Sequence, residues 1–365
     1  MKIDERSQFL IDAISKLNKH YIVIGDNHWG KKQFSKELFQ SQMELYEKQI
    51  IPYMKENNIK TIIHLGDLFD NRIMVDISFL NDFIDKFLKL LEVHDITFIT
   101  IVGNHDIYYK NTLDVSIVKY LDKFYKNVIV VDRTISVNGI TFIPWIVDKS
   151  QIPSVREKIV MGHFEFKNID PHFDGDLDPR IFSECDLVIS GHYHNFSRKE
   201  NIVYAGTPYQ LSFGEFGENK GFYELDMKNQ MDFTFIPNST NKRFLKLHYN
   251  NGQMLLKGMN EDLEFDKDSL DELKVILEKN IFKFIIDNSK DKKHNEIIYS
   301  LKESKLDFEI INNITLNEIM ESVKDEPESE VNTSGLKGIE IILERVPNKY
   351  KKLVQEIQNF SLKSK

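Results

Sequence analysis

Apolar residues fall in short β-branched runs separated by stretches with helical spacing. The runs at 21–24, 61–65 and 97–102 are too short for helices and read as buried strands. Between them, residues 35–56 carry Leu38, Met43, Leu45 and Ile50 on one side of a helix, and 76–92 form a second helical stretch. This β-α-β-α-β rhythm predicts parallel strands with helices on the sheet faces. Residues 1–19 predict an amphipathic helix through Phe9, Leu10, Ala13, Ile14 and Leu17, packed on the domain edge. A further helix is expected over 113–124. Beyond it the pattern turns to strands at 128–131, 135–137, 140–143, 158–161 and 186–190, with Asn138-Gly139 as a hairpin turn. Hairpin-like strands continue through Phe235. The fold class is α/β, a two-sheet sandwich flanked by helices, spanning residues 20–240.

The pattern changes near residue 241. Alternating strands and helices over 241–323 predict a small α+β domain. Residues 324–335 are acidic, contain Pro327 and read as a linker. In 336–365, Ile339, Ile342, Leu343, Val346, Tyr350, Leu353, Val354, Ile357 and Phe360 form a helical stripe interrupted at Pro347, which predicts a helical tail.

Composition narrows the partners. The formal net charge is −9, whereas a protein that grips nucleic acid by charge alone carries an excess of Lys and Arg. Any phosphate-rich ligand must therefore be held by metal, by a local basic patch or by a partner subunit. The single cysteine, Cys185, excludes an internal disulfide or a thiolate metal site and fits a cytoplasmic protein. No signal peptide or membrane span is expected.

The candidate chemistry sits where the strands stop. The first is followed by Asp26 and His28, the second by Asp67, the third by Asn104, His105 and Asp106, and later ones by His163 and by His192 and His194. Polar groups at the end of an apolar strand are costly without partners. The carboxyl ends of strands are also where open α/β sheets place their sites. The donors are all oxygen or imidazole, a set that suits Mn, Fe or Zn better than Ca or Mg alone. They suffice for two ions about 3.5–4 Å apart, which can clamp the attacking and leaving oxygens of a phosphate ester. Asp67 is the natural bridge, and the Asp-x-His and His-x-His spacings point paired side chains to one side. A single histidine after a strand is usually a satisfied loop residue; five such segments in order are not. His64, inside its strand, reads as a core histidine.

The segments Asp26-x-His28, Gly66-Asp67-x-x-Asp70, Gly103-Asn104-His105-Asp106, Gly162-His163 and Gly191-His192-x-His194 together resemble the calcineurin-like metallophosphoesterases. The run from Tyr204 to Glu215, followed by Lys220-Gly221-Phe222, is similar to SbcD-type nucleases, the small subunits of double-strand-break repair complexes. Ile143-Pro144-Trp145 and Phe235-Ile236-Pro237-Asn238 look most like the recombination endonuclease subunits of tailed phages. The resemblance implies a two-metal DNA exo- or endonuclease, most simply with Mn²⁺ (Mg²⁺, Fe or Zn as alternatives). One ion would take Asp26, His28, Asp67 and His194, and the other Asp67, Asn104, His163 and His192. His105 would sit over the scissile phosphate and Asp106 would orient it. Residues 241–323 would cap the site. The tail would bind an SMC-like ATPase of the SbcC type, the complex being a homodimer in the cytoplasm of a bacterium or a phage-infected host. The competing readings are a phosphodiesterase or phosphatase on a non-DNA substrate, and a non-catalytic repair scaffold.

Overall fold

Strand β1 (His20–Ile24) pairs in parallel with β2 (Thr61–His64), β2 with β3 (Thr97–Ile101), and β3 with β4 (Val128–Val131). On the other side of β1, β11 (Gly221–Asp226) and β12 (Asp232–Pro237) add two antiparallel strands. The second sheet has a parallel centre of β6 (Ile140–Ile143), β7 (Ile159–His163), β8 (Leu187–Gly191) and β10 (Ile202–Tyr204). Antiparallel β5 (Ile135–Val137) and β9 (Ser197–Lys199) close its edges. This computed structural model describes residues 3–313 except 149–151, 153, 154, 156, 170–174, 229–231, 289–292 and 307. The expected linker at 324–335 and tail at 336–365 lie outside the described residues.

Parallel strands must be covered on both faces, which is why these runs are continuously apolar. Val23, Ile63, Ile99 and Ile101 of the first sheet face Ile140, Met161, Ile189 and Val203 of the second. The opposite face of the first sheet, with Ile22, Ile62 and Phe98, packs on helix α2 (36–56) and helix α3 (77–93). Trp29, Tyr46, Phe83 and Phe87 fill that layer, and Trp29 is fully buried. Helix α1 (Glu5–Ser15) contributes buried Leu10 and Ile14 to the core between the sheets.

The expected hairpin is present: Asn138 and Gly139 have φ of 58° and 87°, both in the left-handed region such a two-residue turn needs. The helix expected over 113–124 forms only in its second part. Helical structure is confined to Val118–Tyr120 and α4 (Leu121–Phe124). An Ile107–Ser116 bridge and bonds between Thr112 and Asp114 hold the preceding loop. Short polar side chains that bond locally compete with helix formation.

The chain divides into two units, Met1–Lys242 and Arg243–Lys365. The described part of the second is a five-stranded sheet ordered β15 (Leu263–Phe265), β14 (Gln253–Lys257), β13 (Phe244–Asn250), β16 (Ile281–Asn288), β17 (Glu309–Asn312). Helices α5 (Leu270–Glu278) and α6 (His294–Glu303) pack against it through Leu273, Leu277, Ile297 and Leu301.

Candidate metal centre

Parallel pairing brings the carboxyl ends of β1, β2 and β3 to one sheet edge, and those of β7 and β8 meet them from the second sheet. Two nests of donors result. In the first, His28 Nε2 lies 2.9 Å from His194 Nε2 and 3.9 Å from Asp26 Oδ2. In the second, Asn104 Oδ1 lies 2.9 Å from both His163 Nε2 and His192 Nδ1. Asp67 Oδ2 reaches both nests, at 3.3 Å from His163 Nε2 and 3.9 Å from His28 Nε2. Within Asp26–His28–His194, and within Asp67–His163–His192, one donor atom per residue lies inside 4.8 Å of the others. His28, Asp70 and His105 form a third such group.

The electrostatics call for a cation. Asp26, His28, Asp67 and His163 are at most 1% exposed. Burial pushes the Asp26 carboxyl up, and the neighbouring Asp67 charge adds to this against the pull of His163. Burial would raise Asp67 too, but the charge and hydrogen bond of His163, with His28 and His105, hold it well below the usual carboxylate range. Burial alone would depress His163, yet Asp67 and Asp26 outweigh it and lift the imidazole to about 9. His192 falls to about 3 through burial and repulsion from His163. Two buried carboxylates converging with imidazole nitrogens fit divalent ions, which satisfy both without the cost of unpaired buried charge.

The loops are held in costly conformations. His28, Asp67 and His192 have φ of 47°, 55° and 92°, a region that costs a non-glycine residue roughly 1–3 kcal/mol and concentrates at functional sites. Glycine serves here by its lack of a side chain: a Cβ on Gly103 would lie 2.3 Å from Asp67 Oδ1.

Asp106 does not orient His105, contrary to the sequence expectation. Its carboxylate accepts backbone N–H groups from Gly103 at 2.8 Å, Asp67 and Leu68 at 3.0 Å, and Phe69 at 3.3 Å. The residue is buried beneath both loops, where those four donors compensate it. Burial and the Asp67 charge still raise it to about 7. His105 is held instead by the Asp70 carbonyl, 2.7 Å from its Nδ1, while its own N–H donates to Asp67 Oδ1 at 2.7 Å. Burial, reinforced by His28 and Arg72, lowers its basicity against the pull of Asp67. A neutral ring donating Nδ1–H to that carbonyl leaves a lone pair on Nε2.

Four further groups stand behind the ligand histidines, of which the sequence pointed only to Asp70. Glu215 lies 2.9 Å from His194 Nδ1, and Asp70 Oδ1 lies 3.2 Å from His28 Nδ1. The Leu65 carbonyl is 2.9 Å from His163 Nδ1, and the Trp145 ring lies 5.2 Å from that of His192. Asp70 and Glu215 both fall inside motifs visible in the sequence, but their partners are set only by folding. His64 sits within β2, fully buried, with Nδ1 2.9 Å from Thr100 Oγ1.

The profile of the calcineurin-like phosphoesterase family matches residues 19–196. Exonuclease subunit 1 of Enterobacteria phage T4 is 30% identical over 301 residues, covering 78% of this chain and 84% of that protein. Two archaeal proteins named DNA double-strand break repair protein Mre11 also match. That of Sulfolobus acidocaldarius is 29% identical over 210 residues, 52% of each chain. That of Saccharolobus solfataricus is 27% identical over 257 residues, 60% of this chain and 62% of its own. The chain thus spans most of the phage relative and between half and two thirds of the archaeal ones.

Proposed function

The chain belongs to the calcineurin-like phosphoesterase family, and from that premise we propose that it is a DNA nuclease subunit hydrolysing phosphodiester bonds in recombination and double-strand-break repair. The observation that carries the reading is the pair of donor nests sharing Asp67. Asp26, His28, Asp67 and His194 would hold one divalent ion, and Asp67, Asn104, His163 and His192 the second. Mn²⁺ is the proposed metal, and the oxygen–imidazole set also suits Fe or Zn. When bound, such ions neutralise phosphate charge and make water a nucleophile near neutral pH.

The chain's own residues do the rest. His105, anchored at Nδ1 by the Asp70 carbonyl, turns Nε2 to the scissile group. There its lone pair would take up a proton and pass it to the leaving oxygen. Arg72 adds positive charge beside it. Asp106 keeps the loops carrying Asp67 and Asn104 in register by its four N–H contacts.

The names of the relatives support DNA as substrate and a role as one subunit of a complex. The net charge of −9 supports a partner that supplies phosphate-binding surface. We propose an SMC-like ATPase of the SbcC type bound through 336–365, a homodimer of the nuclease in the complex, and work in the cytoplasm. Among the described residues no helix is long and apolar enough to cross a membrane. The substrate is tested by offering the Mn²⁺-loaded chain linear duplex DNA, single-stranded DNA and bis(p-nitrophenyl) phosphate, with and without the ATPase. Cleavage of DNA is the expected result. Turnover of the small diester alone, even with the ATPase and ATP, would assign the chain to a non-DNA substrate.

A further inference from the structure

The two donor nests differ in what stands behind their histidines. In the first, each imidazole turns its outer nitrogen to a carboxylate: His194 Nδ1 to Glu215 Oε1 at 2.9 Å, and His28 Nδ1 to Asp70 Oδ1 at 3.2 Å. The His28 contact is close but not an aligned hydrogen bond. Each carboxylate is anchored in turn by a lysine. Lys31 Nζ lies 3.0 Å from Asp70 Oδ1, and Lys220 Nζ 3.4 Å from Glu215 Oε2. Glu215 Oε2 also accepts the Leu211 N–H at 2.8 Å, so the side chain is fixed at both oxygens. Among the described residues the second nest shows no such pair. His163 Nδ1 meets the neutral Leu65 carbonyl at 2.9 Å. The outer nitrogen of His192 is 4.0 Å from Glu165 Oε1, beyond hydrogen-bond reach. One of the second nest's oxygen donors is the neutral amide of Asn104.

A carboxylate on the outer nitrogen of a ligating histidine fixes its tautomer and orientation and makes the inner nitrogen a better donor; losing it typically costs about 10–100-fold in metal affinity. We propose that Glu215 and Asp70 are positioning residues that make Asp26–His28–His194 the tighter of two unequal divalent-metal positions. The lysines temper the carboxylate charge, but they also hold each carboxylate where its histidine needs it. Orientation therefore accounts for more of the effect than charge. The inference rests on the ligand set proposed above and does not depend on the substrate.

The test is a calorimetric titration of the full, chelator-stripped chain with Mn²⁺ alone, paired with thermal unfolding of the metal-free protein. Wild type is expected to bind in two unequal steps. Glu215→Gln should weaken the tighter step by about 10–100-fold and leave the weaker step where it was. Asp70→Asn should act on the same step. Asp70 is about a quarter exposed, so this second variant keeps the test decisive if Glu215→Gln unfolds. Two equal steps in wild type would overturn the proposal. So would a folded variant that binds like wild type, or one that shifts both steps together, as a merely structural role would. Unequal binding in a chain that cuts no DNA would leave this inference standing and remove the nuclease reading; DNA cleavage with two equal steps would do the reverse.

Discussion

Four backbone N–H groups converge on the Asp106 carboxylate, tying the loop after β2 to the loop after β3. Asp106→Asn replaces one acceptor oxygen with an amide donor that faces other donors. The substitution should lower unfolding free energy by about 1–3 kcal/mol, read by urea denaturation of the metal-free chain. Asp132 makes a separate prediction. Burial would raise its carboxyl, but Arg6, Lys119 and Arg133 outweigh burial and hold it below the usual range. A depressed folded-state pKa contributes stability above the unfolded value of about 4, lost as pH falls through the folded value. Asp132→Asn should therefore cost about 1 kcal/mol at pH 7, with the gap to wild type closing below about pH 4 in matched denaturation curves. At this scale the sequence displays the donors, because Asp and His carry their chemistry in their type. It hides pairings such as His194 with Glu215, which depend on how a later turn folds back.

Strand ends were legible because a continuous apolar run stopping at Gly-Asp or Gly-Asn-His leaves few alternatives. Elements governed by local polar bonding were not. The helix read over 113–124 starts only at Val118, because the Thr112–Asp114 bonds and the Ile107–Ser116 bridge set a loop before it. Helix α1 reads as an edge helix, and in the fold it closes the inter-sheet core with Leu10 and Ile14, both fully buried. Leu10→Ala should destabilise the chain by about 2–4 kcal/mol through the cavity left behind, with Mn²⁺ affinity unchanged in the folded variant. Gly103 makes the opposite point about space. The Cβ of Gly103→Ala would lie 2.3 Å from Asp67 Oδ1 and 2.4 Å from Asp67 N. The variant should lose about 1–3 kcal/mol and also bind Mn²⁺ more weakly, since Asp67 cannot yield without leaving both nests.

In the first unit as a whole, strand order does what no local segment can. The sequence order of five polar-ended strands suggests a shared site, but only the pairing of β1–β2–β3 in one sheet with β7–β8 in the other brings Asp67 against both His28 and His163. That convergence turns separate loop residues into a candidate two-ion centre. The most direct test compares wild type with His105→Ala on linear DNA in Mn²⁺, with and without chelator, alongside Mn²⁺ binding by both proteins. The account predicts chelator-sensitive cleavage by wild type. It also predicts that His105→Ala retains metal and loses cleavage by at least about 100-fold, the lower end for general-acid participation. Equal cleavage by the two proteins, or no cleavage by metal-loaded wild type even with the ATPase and ATP, would contradict it.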